Sequence, residues 1–590
     1  MARLSLLAAL VASAACAGAA PLPRGIAVVA DPIAALAESG KGVGGLELSL
    51  VAVEGQPFAM ALRLKTLRRP RRVYDIQIRA RNTAAVRKGD VLLATFWVRA
   101  VAPAKAHTEF IFELGRQPYT KSAQHPVVAG RKWQRIGVPF VSRQGFAPGE
   151  ASLIFRLGYP PQTLEIGGVT LTNYDKKVRL RDLPGAPETY EPSQPGDAWR
   201  KAALARIERI RKADLTVAVT DADGKPVAGA DVAVKMTHHA FGFGAAINAG
   251  TFKPDKDTPD TLKYREMTQK LFNRVVVENS FKWPGWENAD RRRRVLWTLA
   301  WLRERGIEVR DHCLVWPSWK HMPRDVQQLK DDKAALQRRI LDHIREEVAA
   351  TKGRIAEWDV INEPFSNHDA MDVLGREAMV AWFQAAREAD PAARLFINDY
   401  GILARSGRDR RHQDHYYETI RFLIDRGAPL DGIGLQSHFG GDLTPPPRLL
   451  AILDRFAAFT KALAVTEFDI NVKDEELQAA YTRDFLTAVF SHPAVNGILM
   501  WGFWEGRHWR PQAALFRRDW SVKPNGRAWQ DLVFKEWWTD VAARTDAQGR
   551  ATVRGFLGDY EVTATAGDRS KTVSLALRKA GASATVRLGR

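Results

Sequence analysis

Glu363 stands in the segment WDVINEPF (residues 358–365) and Glu467 in LAVTEFDI (463–470). Each closes a short run of apolar and β-branched residues that reads as a buried strand. An ionised carboxyl is costly to bury unless it is paired or put to chemical use. Two such carboxyls at equivalent strand ends suit glycoside hydrolysis, in which one protonates the leaving oxygen while the other attacks the sugar or activates water. Asp359 lies four residues before Glu363, deeper along the same strand, and reads as structural. Polar and aromatic residues follow the neighbouring runs in the same way: Glu278, Asn279 and Lys282, then His312 and Trp316, Asn362, Gln436 and His438, and finally Trp501 and Trp509. A sugar needs hydrogen bonds to its hydroxyls and flat apolar surfaces for its C–H faces, and this mixture supplies both.

Each residue taken singly has a blander reading. Asn-Glu-Pro is usually a turn, a tryptophan at a strand end usually packs a core, and THHAFG (237–242) reads as a satisfied histidine pair near a strand. His312 beside Cys313 does not indicate a metal, because adjacent strand residues point to opposite faces and no further ligand stands at a suitable spacing. The joint pattern is what counts, since nearly all of these groups fall at the same end of successive strands.

The strands that must carry them are FGFGAAI (241), VVVENSFKW (275), EVRDHCLVW (308), AEWDVINEP (356), RLFIND (394), GIGLQSH (432), LAVTEFDI (463) and GILMWGFW (497). Amphipathic helices such as KAALQRRILDHIREEVAA separate them. Eight strand-helix units in about 300 residues is the arithmetic of a (β/α)8 TIM barrel, with its site at the C-terminal ends of the strands. The expected barrel spans 240–538.

Around it the chain is of different character. Residues 25–176 alternate apolar and polar positions in short runs broken by Gly and Pro, which predicts a β-sandwich. Residues 177–213 read as a Pro- and Gly-rich linker followed by a helix capped by Asp197, with Trp199, Ala203, Ile207 and Ile210 on one stripe. LTVAVTDADGKPVAGADVAVKM (215–236) reads as two strands joined through Asp-Gly and Pro turns. Two strands alone are marginal, so 214–239 and the strand-rich 541–590 are expected to fold as one small β-sandwich split around the barrel.

The chain of 590 residues carries a formal net charge of +20. No nucleic-acid recognition motif accompanies that charge, which reads as an arginine-rich exterior. Residues 1–19 have the basic start, apolar stretch and small-residue end of a secretory signal peptide, predicting a periplasmic or extracellular protein. Ser13 stands where a lipidated Cys16 would need a larger aliphatic residue. Removal of the signal leaves Cys313 as the one thiol, which excludes an intramolecular disulfide. No later segment is apolar enough to span a membrane.

ENSFKW, HCLVW, WDVINEPF, IND, GLQSH, VTEFDI and WGFWEGRHWR, in this order and spacing, resemble the successive motifs of glycoside hydrolase family 10, the retaining endo-β-1,4-xylanases, in its plant-type form. The resemblance implies Glu363 as acid/base and Glu467 as nucleophile, with no cofactor or metal. It implies that Asn362 bonds the sugar 2-hydroxyl and that His438 keeps the nucleophile ionised. His312, Trp316, Gln436 and Trp501 would hold the reacting sugar, and Glu278, Asn279 and Lys282 the next one toward the non-reducing end. Pro317 and Trp319 stand where the family commonly has His and Gln, which touches the glycone subsites and not the glutamates. Residues 25–175 resemble, more loosely, a jelly-roll carbohydrate-binding module, in which Trp97, Tyr119, Trp133 and Tyr159 are candidates for a stacking face or for core. Xylan or a xylo-oligosaccharide is the implied substrate. The alternatives are a polysaccharide binder without catalysis, or the same chemistry on another β-glycan.

Overall fold

The structure is a computed structural model that describes residues 23–180, 183, 190–252 and 257–589. The expected signal peptide lies outside the described residues. The chain divides into two compact units, Met1–Glu188 and Thr189–Arg590.

In the first unit, two antiparallel sheets face each other. One runs in the order Leu46–Ala52, Met60–Thr66, Gln162–Asn173, Val91–Ala102 and Gln134–Val141, with Ile26–Ala27 beside the third of these; the other runs Gln77–Arg81, Ala151–Arg156, Ala106–Leu114 and Lys121–Ala129. Period-two alternation turns Leu64, Phe96 and Ile166 of the first toward Phe110, Phe112 and Phe155 of the second. Each side chain buried in this way contributes about 1.5–3 kcal/mol.

The four aromatic candidates of this unit do not share a face. Trp97 and Trp133 gather about Phe58, at ring distances of 6.1 and 5.1 Å, on the first sheet. Tyr119 is exposed in the turn before Lys121, and Tyr159 stacks on His107 of the second sheet. Only Trp97 lies in a strand, and Tyr119 and Tyr159 stand apart from the cluster around Phe58, so the four do not form one platform.

The second unit contains the barrel. Its strands are β1 (Gly242–Ile247), β2 (Arg274–Val277), β3 (Glu308–Val315), β4 (Glu357–Asn362), β5 (Arg394–Asp399), β6 (Gly432–Leu435), β7 (Ala462–Ile470) and β8 (Val495–Met500). All pair in parallel with their neighbours, and β8 returns to β1 with Gly242 opposite Gly497, which closes the ring. Helices follow the strands, among them α1 (Lys333–Thr351), α2 (Arg410–Asp425) and α3 (Glu475–Phe490). Asp332, Asp409 and Asp474 cap these three through their carboxylates.

The floor of the barrel is ionic. Arg274 on β2 reaches Glu308 at 2.6 Å and Glu357 at 3.2 Å, and Glu357 also holds Arg310 at 2.8 Å and Arg394 at 2.6 Å. Gly242 makes room for this: a Cβ there would lie 2.7 Å from the Arg274 guanidinium carbon. The three arginines hold the Glu357 carboxyl down at about 2 although burial pushes it up.

Strands Lys212–Thr220 and Asp231–His239 are joined through the expected turns but do not pair with each other. The first pairs with Arg550–Phe556 and Ala582–Arg587, and the second with Asp540–Arg544 and Gly558–Ala566, so the chain crosses between two sheets at the Asp-Gly turn. The segments before and after the barrel do build one sandwich, and its core is continuous with that of the barrel. Helix Ala198–Ile210 begins after Asp197 as expected, but that carboxylate accepts from the Gln194 amide rather than from the helix. The helix's first turn and the residues before it are anchored: Asp484 on α3 accepts from Tyr190 Oη at 2.7 Å, Ser193 N at 2.9 Å and Arg200 Nη1 at 2.8 Å. Among the described residues no helix is long and apolar enough to cross a membrane.

Candidate active site

Because β4 and β7 are parallel and side chains alternate along a strand, Glu363 and Glu467 leave their strands on the same side of the ring. Both line one cavity of about 690 Å³ at the C-terminal ends of the strands. Every other candidate named above for the barrel lines it too, except Asn362, which is fully buried beneath it.

A chain of side-chain amides joins the two carboxylates. Gln436 Nε2 donates to Glu363 Oε1 at 3.0 Å and approaches Asn362 Oδ1 at 3.2 Å. Asn398 Nδ2 reaches the same Asn362 oxygen at 3.1 Å and donates to Glu467 Oε1 at 2.8 Å. Asn362 Oδ1 is spent on these donors, while Asn362 Nδ2 is buried with no partner among the described residues.

The environments of the two glutamates diverge. Burial raises Glu363 above the usual carboxylate range, and the charges of Glu467 and Asp399 add to this against the Gln436 hydrogen bond. Burial also pushes Glu467 upward, but His312 and the donors His438 and Asn398 outweigh it, and its carboxyl is held below the usual range. His438 Nε2 lies 3.1 Å from Glu467 Oε2 and its Nδ1 lies 3.0 Å from Asp469 Oδ2. Against its burial these two acids raise the imidazole to about 9, so it is charged at neutral pH. The two-residue strand His438–Phe439 pairs with Asp469 and Ile470, and this places the ring.

His312 Nδ1 lies 3.1 Å from Asp359 Oδ2 and 3.8 Å from Glu467 Oε1. Asp359 is ion-paired with the buried Arg310. It is therefore structural as expected, and it also orients a cavity residue.

Glu363 has φ +55°, a conformation that a non-glycine residue adopts at a cost of about 1–3 kcal/mol. Its N–H donates to Asn398 O at 2.8 Å, and Asn367 Nδ2 donates to its Oε2 at 3.0 Å. Trp316 stacks on His321 at 3.5 Å with Lys282 Nζ above the indole at 5.2 Å. Trp509 stays half-exposed, donating to Asp469 Oδ2 at 2.7 Å. Pro317 and Trp319 join the loop after β3 to the helix Asp369–Leu374 through Pro317 O and the Trp319 amide. Asn398, Asp469 and Asn367 were not singled out from the sequence; the first two lie within IND and VTEFDI, but strand-end position alone does not say which carboxylate they serve. Among the described residues no group of three His, Cys, Asp or Glu side chains has the arrangement of a metal site.

Residues 233–531, about half of the chain, match the profile of glycosyl hydrolase family 10. The chain belongs to that family. This family 10 glycoside hydrolase is 31% identical over 386 residues to the anti-sigma-I factor RsgI6 of Acetivibrio thermocellus, covering 64% of this chain and 48% of the relative. It is 28% identical over 389 residues to endo-1,4-beta-xylanase 1 of Arabidopsis thaliana, covering 63% of this chain and 39% of the relative. The chain thus spans about half or less of the length of these curated relatives. Xylanase 10B from Thermotoga petrophila, solved in complex with xylobiose, aligns with 26% identity over 50% of this chain and 95% of its own, at a TM-score of 0.46.

Proposed function

We propose that this family 10 enzyme is a retaining endo-β-1,4-xylanase in which Glu363 is the acid/base and Glu467 the nucleophile. The observation that carries the reading is the amide-bridged pair of carboxyls with opposite protonation tendencies. In the first step protonated Glu363 gives its proton to the leaving glycosidic oxygen while Glu467 bonds to the anomeric carbon. In the second, Glu363 takes a proton from water, whose oxygen displaces the Glu467 carboxylate. Two inversions leave the configuration unchanged. His438 and Asn398 stabilise the Glu467 charge before attack and as it returns. The unspent Asn362 Nδ2 is a donor for the sugar 2-hydroxyl. His312, Trp316, Gln436, His438 and Trp501 surround the reacting sugar, Glu278, Asn279 and Lys282 take the adjacent glycone sugar, and Trp509 closes the rim.

Xylan is favoured by the names of the Arabidopsis relatives. The signal-like residues 1–19 support a periplasmic or extracellular location, and sequencing the mature N-terminus checks it. The decisive experiment is incubation with glucuronoarabinoxylan, mixed-linkage glucan and cellulose, with product sizing and NMR of the first anomer formed. Internal cleavage of xylan with the β-anomer appearing first is expected, and Glu467→Ala abolishes it. An α-anomer first overturns retention. Binding of all three polymers without cleavage would make the protein a binder.

A further inference from the structure

The first unit carries a cavity of its own, of about 840 Å³, larger than the one of about 690 Å³ that holds the glutamate pair. It lies on the outer face of the sheet that contains Val91–Ala102. Leu64, Phe96 and Ile166 of that sheet turn into the sandwich, so alternation turns Arg63, Trp97 and Glu165 away from it. Register sets two cross-strand rows on the outer face. One is Ala61, Gly167, Trp97 and Arg135, and the other is Arg63, Glu165 and Arg99.

The glycines of the first row let an aromatic ring lie on the sheet. A Cβ at Gly167 would stand 2.3 Å from the Phe58 ring, and one at Gly168 would stand 2.9 Å from that ring and 3.0 Å from Trp97. Phe58, from the loop between Leu46–Ala52 and Met60–Thr66, thereby sits beside Trp97 and edge-on to Trp133 at 5.1 Å, with the Arg99 guanidinium 4.9 Å from the Trp133 ring. Leu50 and Met60 extend the apolar wall and are exposed by 51% and 41%. A contiguous apolar patch rimmed by polar groups is the mark of a ligand groove.

Those polar groups say which ligand. Thr95, two residues from Trp97 on the same face, places its Oγ1 2.7 Å from Thr170 Oγ1 in an exposed pair. An indole beside hydroxyls suits a pyranose, which offers C–H bonds to the ring and hydroxyls to the threonines. The charge is one-sided. Glu165 is fully buried and its two oxygens are taken by Arg63 and Arg99, each at 2.6 Å, while both guanidiniums stay partly exposed and Arg135 stands in the open. Asp31, which also lines the cavity, spends a carboxylate oxygen on the Ala34 amide at 3.0 Å. Three guanidiniums against two carboxylates already engaged complement an anionic sugar chain.

We propose that this sheet face is a second binding site for acidic xylan, in which Trp97 stacks on a xylose ring, the Thr95 and Thr170 hydroxyls bond that sugar, and Arg135 pairs with a uronate side group. The inference rests on the xylanase reading for the identity of the backbone sugar. It gives the enzyme a hold on the polymer that persists while product leaves the barrel, since none of these residues belongs to the catalytic cavity.

The test is gel retardation of the full chain carrying Glu467→Ala, which leaves the polymer intact, in gels containing glucuronoxylan, carboxyl-reduced glucuronoxylan or no polysaccharide. Adding Trp97→Ala should weaken retention on glucuronoxylan about fivefold or more, as loss of an aromatic anchor does. Arg135→Glu, at an exposed position, should weaken retention on glucuronoxylan severalfold and leave retention on the carboxyl-reduced polymer unchanged; it decides the matter if Trp97→Ala does not fold. A xylo-oligosaccharide bearing one glucuronate should slow amide exchange in residues 95–99 and 166–170. Folded variants with unchanged retention, or unaltered exchange in those two segments, overturn the proposal. So does a dimer in sedimentation that Trp97→Ala dissociates, because the groove is then a contact between copies. Hydrolysis of xylotetraose by the wild type, which neither substitution should alter, tests the xylanase reading separately: an enzyme that cleaves xylotetraose while its retention ignores both substitutions fails this inference alone.

Discussion

At the scale of single residues, the same carboxyl side chain is given two chemistries by its neighbours. Glu363→Ala should lower the rate on xylan by about 10²–10⁴, the usual worth of a positioned proton donor, while the burst with an activated aryl glycoside persists; stopped-flow release of the phenolate reads both. His438 has the opposite influence on Glu467, since a positive ring holds that carboxyl ionised. In His438→Gln the Glu467 carboxyl rises, so the acid limb of kcat/KM should move to higher pH, as a pH-rate profile will show. The two glutamates were legible in the sequence because each ends a strand-like run at an equivalent place. Asn398 and Asp469 were not, because their roles depend on which strand lies next to which. The Asn398 amide serves Glu467 across β6, and Asp469 acts through a histidine that joins β7 by a two-residue strand.

At the scale of elements, β3 and β4 carry a column of alternating charge on inward positions two residues apart. Arg310 and His312 on one strand meet Glu357 and Asp359 on the other, running from the ionic floor to the cavity. Glu357→Gln leaves buried guanidinium groups short of a partner and should destabilise the second unit by about 3–5 kcal/mol in urea titration at pH 7. The pH dependence follows from the sign of the shift. The Glu357 carboxyl is depressed to about 2, so its stabilising share is complete above the unfolded value near 4.3 and disappears as pH falls toward 2. The difference between wild type and Glu357→Gln should therefore shrink in acid. All eight barrel strands were readable from apolar runs and spacing. The pairing of 212–220 and 231–239 was not, because an Asp-Gly turn between alternating segments is the signature of a hairpin, and only the remote strands 550–556 and 540–544 show that each had another partner.

At the scale of the whole molecule, the first unit has its own core and the barrel shares one with the split sandwich. Differential scanning calorimetry should accordingly resolve two transitions, the larger containing barrel and split sandwich together. The cavity rim carries Lys282, Lys320, Arg405 and Arg510 above the acidic floor. Uronate-substituted xylan should be drawn to that rim, so salt should slow hydrolysis of glucuronoxylan more than that of neutral xylo-oligosaccharides, as initial rates at two ionic strengths will show.

The ring of strands closes between β1 and β8, and this seam is where the polypeptide enters and leaves the barrel. Only two residues separate His239 from β1, and the flanking strands on either side are laced together, with Lys235 opposite Asp540. Opening the seam therefore requires unzipping a second set of ladder hydrogen bonds outside the barrel. A fragment trimmed to residues 240–538 would lose that fastening, and its first and last strands would be the place where fraying and proteolysis begin.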